Sequence, residues 1–97
     1  MAPQRLSDGE IEQALASGPW KVEGDSIVRD VELGGFKAAM ALANSVAEAA
    51  DEANHHPDIL IHDYKHVRLT LSTHSAGGVT ANDLELASAI DELVATA

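Results

Sequence analysis

The sequence predicts an α+β fold in the order α-β-β-α-β-β-α: a four-stranded antiparallel sheet with helices packed on one face. Three observations predict it. Residues 26–33 and 67–73 alternate apolar and polar side chains in the manner of strands. A shorter apolar segment precedes each across a turn, so both read as the return strands of hairpins. Each hairpin is followed by a run with helical periodicity, over 36–53 and 80–94. A ββα unit therefore occurs twice, although the two halves share no obvious sequence, and its helices can cover one side of the sheet.

Each element has its own warrant. Ser7-Asp8-Gly9-Glu10 has the S-x-x-E form of a capping box, and Ile11, Ala14 and Leu15 follow at helical spacing. Gly18-Pro19 ends this first helix after about three turns. Trp20 to Glu23 reads as a brief strand, Gly24-Asp25 as a turn, and Ser26 to Leu33 as the return strand. Ile27, Val31 and Leu33 share one face of it; Val28 and Asp30 share the other. After Gly34-Gly35, an Ala-rich helix is expected from Phe36 to about Ala53, because Ala is the strongest helix former. Phe36, Met40, Ala43, Ala47 and Ala50 are its expected apolar face. Asn54 and His56-Pro57 stop it, since the residue before proline is pushed out of the α region. Ile59, Leu60 and Ile61 form the third strand and His62 to Lys65 the connection. Val67, Leu69, Leu71 and Thr73 then alternate with Arg68, Thr70, Ser72 and His74. Thr80 caps the last helix, with Asp83 in its first turn and Leu86, Ala87, Ile90, Leu93 and Val94 as its buried stripe.

Composition bounds the function. Ninety-seven residues make one domain, expected over 1–97, whose core is aliphatic because only Trp20, Phe36 and Tyr64 are aromatic. Self-association would supplement so small a core. A formal charge of −10 with scattered basic residues opposes binding to nucleic acid or to an anionic membrane. The absence of cysteine rules out disulfides and thiolate zinc sites, and fits a reducing compartment. Met1 to Leu15 lacks a secretory apolar core, and no run reaches transmembrane length, so a soluble cytoplasmic protein is expected.

Three of the five histidines carry the chemical interest. His55 and His56 lie past the end of the long helix, where backbone carbonyls carry partial negative charge and Asp51 is one turn back. His74 ends the fourth strand, ahead of Gly77-Gly78 and the N–H groups that open the last helix. A pocket between these ends would join three imidazoles, two carboxylates and backbone donors, which is equipment for paired proton transfer. His62 and His66 flank a turn and are expected in solvent without a role. Asp83 has a sufficient structural role as a first-turn carboxylate, and Trp20 reads as a core anchor.

Asp51, three residues, His55-His56-Pro57, six residues, Tyr64, nine residues, His74, eight residues, Asp83: this spacing resembles the signature of the pterin-4a-carbinolamine dehydratases. Leu71 to His74, Gly77-Gly78 and Asp83 to Ala87 also resemble family sequence, so the likeness runs from about Phe36 to Leu93, with Trp20 at a further matching place. The resemblance implies removal of water from a 4a-hydroxytetrahydropterin, giving quinonoid dihydropterin during tetrahydropterin recycling. It implies no metal and no cofactor. His55, His56 and His74 are implied as the acid–base and binding histidines, with His55 and His74 moving protons and His56 orienting the pterin. Asp51, Ile59 and Asp83 are implied at the substrate. Homodimers or homotetramers and an aromatic amino-acid hydroxylase in the same pathway are implied partners.

Two departures stand out. Ile59 occupies a place where many relatives carry an aromatic residue, so an aliphatic wall replaces stacking. The Pro57–Tyr64 interval is one residue longer than is usual in the family, which either a bulge or a displaced Tyr64 would absorb. The alternative function on this fold is protein binding, as in transcriptional coactivation or Rubisco assembly, and the assembly relatives characteristically lack the full histidine set. A histidine metal site is disfavoured, because adjacent histidines rarely converge on one ion.

Overall fold

The computed structural model describes residues 4–97; the first three residues lie outside the described part of the chain. The elements are α1 (Asp8–Leu15), β1 (Lys21–Glu23), β2 (Ser26–Glu32), α2 (Phe36–Ala53), β3 (Asp58–His62), β4 (His66–Leu71) and α3 (Ala81–Ala95), with a 3₁₀ turn at His74–Ala76. The four strands form one antiparallel sheet in the order β1-β2-β4-β3. The two hairpins therefore meet along β2 and β4, and β1 and β3 form the edges.

Register decides what is buried. Ile27 pairs with Leu71 and Val31 with Val67, so β2 and β4 present one apolar face. Against it pack Ala39, Leu42, Val46 and Ala50 of α2, Leu86, Ala87 and Ile90 of α3, and Ile11 of α1. Burying each Leu, Ile or Val stabilises the fold by about 1.5–3 kcal/mol. The opposite sheet face carries Asp30, Arg68, His62 and His66 and, among the described residues, no helix.

Three sequence expectations need correction. On α2 the buried stripe is Ala39, Leu42, Val46 and Ala50, whereas Phe36 and Met40 are 55% and 41% exposed. α1 has eight residues, about two turns rather than three, because its chain tightens early, with Ala16 N–H donating to Gln13 and Gly18 N–H to Leu15. β4 ends at Leu71, and Thr73 pairs instead with Gly78. The longer Pro57–Tyr64 interval produces no bulge: β3 and β4 pair without interruption from Asp58↔Thr70 to His62↔His66. The turn beyond takes up the residue, with Asp63 and Tyr64 both at positive φ.

One polar group is built into the helix side of the sheet. Arg29 pairs across the strands with Leu69, so it lies on the buried face. Its Nη1 donates to Asp91 on α3, and Trp20 Nε1 donates to the same carboxylate oxygen at 2.8 Å. Asp91 thereby ties α3 to β2 and to the start of β1. Asp91→Ala leaves a half-buried guanidinium and an indole N–H without their acceptor, and is expected to cost about 2–3 kcal/mol. Urea denaturation measures this; a loss within the range of an ordinary surface ion pair, under about 1 kcal/mol, would refute it.

Candidate active site

The C-terminus of α2 is shaped by one residue. Asn54 adopts the left-handed conformation at φ 51°, which asparagine tolerates better than other side-chain-bearing residues. His55 N–H reaches back to Ala50 O at 3.1 Å, closing the helix in the Schellman manner. The chain thus reverses sharply, and His55 turns inward while His56 remains at the surface. Pro57 then commits the backbone to the extended path of β3.

The second wall comes from the loop between β4 and α3. Thr73 N–H donates to Gly78 O at 2.9 Å, and Gly78 N–H returns to Thr73 O at 3.3 Å. Between them the 3₁₀ turn carries His74 and ends at Gly77, whose φ of 74° suits glycine. A side chain at Gly78 would run into Arg5, whose Nε would lie 2.4 Å from its Cβ.

These two ends meet. Asn54, His55, His56, Ser72, Thr73, His74 and Ser75 line a shallow, open cleft of about 340 Å³, within the range of small-molecule sites. The three histidines expected from the spacing therefore share one cleft. Two of the histidines are each paired with an aspartate. Asp83 is fully buried and its Oδ1 accepts from His55 Nε2, whose side chain is only 15% exposed. Asp51 Oδ1 lies 3.0 Å from His56 Nε2, with both side chains well exposed.

Asp83 has two structural tasks. Its Oδ2 accepts from Thr80 N–H at 2.9 Å, forming the reciprocal cap of α3 in which Thr80 Oγ1 accepts from Asn82 N–H. The same Oδ2 accepts from the buried Thr73 hydroxyl at 2.9 Å. The first-turn role read from the sequence is present, and the contact with His55 is added to it. Three donors converge on this carboxylate, which as an ion is an acceptor only. Opposite an ionised carboxylate, His55 Nε2 is the donor in this contact.

Ile59 is not among the residues that line the cleft. It stands on edge strand β3, 37% exposed and paired with Leu69. Tyr64 is 62% exposed in the turn at the far end of the same hairpin, away from His55 and His74. His62 and His66 form a separate pair on the helix-free face, with rings stacked at 5.3 Å. They flank Asp30, whose carboxyl is held below its usual range chiefly by hydrogen bonds from Arg68. Among the described residues no group of three or more histidine and acidic side chains is arranged to hold a metal ion. Thr73 and Thr80 were not singled out as site residues by the sequence, although the strand alternation puts Thr73 on the face of Val67, Leu69 and Leu71.

Known proteins give an independent comparison. The family model described as pterin 4 alpha carbinolamine dehydratase matches residues 4–93. A protein of Nocardia farcinica named as a pterin-4-alpha-carbinolamine dehydratase is 52% identical over 94 residues, covering 96% of this chain and 98% of that protein. One of Chloroflexus aurantiacus with the same name is 50% identical over 91 residues, covering 93% and 97%. Among solved structures, the transcriptional coactivator/pterin dehydratase from Brucella melitensis superposes with a TM-score of 0.86 at 31% identity, covering 94% of this chain and 99% of that one. A pterin dehydratase-like protein identified as a RuBisCO assembly factor of the alpha-carboxysome has a TM-score of 0.62 at 17% identity, covering 77% and 86%, and shares the fold alone. The match of the family model across nearly the whole chain, with relatives at half identity, agrees with the three-histidine cleft: this chain belongs to the pterin 4 alpha carbinolamine dehydratase family.

Proposed function

We propose that this protein removes water from a 4a-hydroxytetrahydropterin, using His55 as base and His74 as acid. The observation that carries the reading is the buried Asp83–His55 pair in a cleft shared with His56 and His74. His55 Nδ1 takes the proton from ring nitrogen N5. The N5 electron pair forms the C4a=N5 bond, the C4a–O bond breaks, and His74 as imidazolium delivers its proton to the departing hydroxyl. The products are quinonoid dihydropterin and water, and solvent returns both histidines to their starting states. No electron is gained or lost. Asp83 offsets the positive charge that His55 takes up, and fixes its ring. His56, held by Asp51, orients the pterin at the rim.

The position of each histidine supports its role. His55 is largely buried and its tautomer is set by Asp83, which suits a base that accepts at one atom. His74 is exposed on its turn, which suits an acid recharged from solvent. Ile59 forms an aliphatic flank on β3 for a pterin that extends beyond the cleft. Among the described residues no helix is long and apolar enough to cross a membrane, and we place the activity in the cytoplasm, in recycling of the tetrahydropterin used by an aromatic amino-acid hydroxylase. A homodimer or homotetramer, using the exposed α2 face around Phe36 and Met40, belongs to the same proposal.

The test is the loss of freshly generated 4a-hydroxytetrahydropterin, followed optically with and without protein. Acceleration at substoichiometric protein is expected. A rate equal to that of buffer would remove the enzyme reading and favour the protein-binding alternative on this fold.

A further inference from the structure

We infer that Thr73 is a positioning residue: through Asp83, its buried hydroxyl locks His55 in the tautomer that leaves Nδ1 as the base. The inference deepens the dehydratase reading and rests on it for its effect on rate.

Thr73 is 7% exposed, and Thr80 and Asp83 are fully buried, so none can exchange its partner for water cheaply. Thr73 has one O–H, which it donates to Asp83 Oδ2. Thr73 Oγ1 also lies 2.8 Å from Thr80 Oγ1. With the Thr73 hydrogen committed, Thr80 must donate in that contact. The chain therefore runs one way: Thr80 O–H to Thr73, Thr73 O–H to Asp83, with Thr80 N–H arriving at the same Oδ2. Two donors hold Oδ2, so the carboxylate cannot rotate without breaking both. Oδ1 is thereby fixed toward His55 Nε2.

Removing the Thr73 hydroxyl undoes this in a specific way. Thr80 O–H loses its acceptor and becomes a rival donor, and Asp83 Oδ2 keeps only the cap bond from Thr80 N–H. Held at Oδ2 by one donor in place of two, the carboxylate can turn, and the His55 ring gains access to the other tautomer. Thr73 lines the cleft, but its hydroxyl is engaged behind His55, so substrate binding should change little.

The experiment compares Thr73→Val and Thr73→Ser with the wild type by two readouts. In ¹⁵N NMR of the imidazoles, the wild type and Thr73→Ser should show His55 with Nε2 protonated and Nδ1 bare. Thr73→Val should show a mixture of tautomers. In the dehydration assay, Thr73→Val should lose about 10–100-fold in kcat, the scale known for outer contacts that orient metal-ligating histidines, with KM within about twofold, while Thr73→Ser keeps most of the rate. If Thr73→Val does not fold, Thr73→Ala removes the same hydroxyl with less bulk. A folded variant lacking the hydroxyl that keeps the wild-type tautomer overturns the inference. So does a Thr73→Ser protein that fails as badly as Thr73→Val. If the wild type has no activity at all, the proposed function falls, and the tautomer measurement still decides the role of Thr73.

Discussion

Replacing His55 with alanine should leave a folded protein whose dehydration rate is lower by about 10²–10⁴-fold, the contribution usual for a positioned general base. His55 lies past the end of α2 and closes that helix through its backbone N–H, which alanine retains. Its side chain supplies one of three bonds to Asp83, and the other two remain in the variant. His74→Ala should produce a comparable loss with still less effect on the fold, because His74 is exposed on its turn. Steady-state kinetics with thermal unfolding as a control measure both. Near-wild-type rates in the two variants would place the chemistry elsewhere.

The second large effect is at Asp83, and it falls on stability and rate together. Asp83→Ala leaves Thr80 N–H, the Thr73 hydroxyl and His55 Nε2 without their shared acceptor in a fully buried place. Removing one partner from such a buried set costs about 3–5 kcal/mol, against a typical total of about 5–15 kcal/mol for a whole protein. Asp83→Asn separates the two effects. Its amide oxygen still accepts from Thr80 and Thr73, so it should lose much less stability. Its NH₂ group then faces His55 Nε2 as a donor and forces that ring into the opposite tautomer. The rate should therefore fall nearly as far as in His55→Ala, as expected when a carboxylate that orients a catalytic histidine becomes an amide. Denaturation curves and kinetics on both variants check this. An Asp83→Asn protein with wild-type rate would mean that the contact with His55 is structural only.

How much of this was legible in the sequence depends on the range of the interaction involved. Local signals carried the elements well. Ser7 and Glu10 form the capping box that their spacing predicts, and Thr80 and Asp83 form the second cap. The faces of β2 and β4 followed from alternation. α2 was misread because alanine widens its apolar face beyond what the core covers, while Lys37, Asn44, Ser45, Glu48, Asp51 and Glu52 share the remaining side. Phe36-Met40-Ala43-Ala47-Ala50 and Ala39-Leu42-Val46-Ala50 are both acceptable stripes by period alone. Packing chose the one with the branched Leu42 and Val46, and left Phe36 and Met40 outside.

The site divides in the same way. The cluster of three histidines was visible because each sits at a helix or strand end that the sequence marks. The bond between His55 and Asp83 was not, because it joins residues 28 positions apart. It depends on α2 and α3 packing side by side against the sheet, which periodicity does not specify. Thr73 shares the face of Val67, Leu69 and Leu71 by alternation, but a buried hydroxyl shows its purpose only when its partner is known. Arg29 gave a signal that was passed over: its parity puts it with Ile27 and Val31, so a buried partner such as Asp91 was required.

The most direct measurement is a titration of the protein with an unreactive pterin while the imidazole resonances of all five histidines are followed together. His55, His56 and His74 are expected to shift with a common saturation curve, because they line one cleft, and His62 and His66, on the helix-free face, are expected not to. Shifts confined to His62 and His66, or a saturable response that leaves His55 and His74 unmoved, would contradict it.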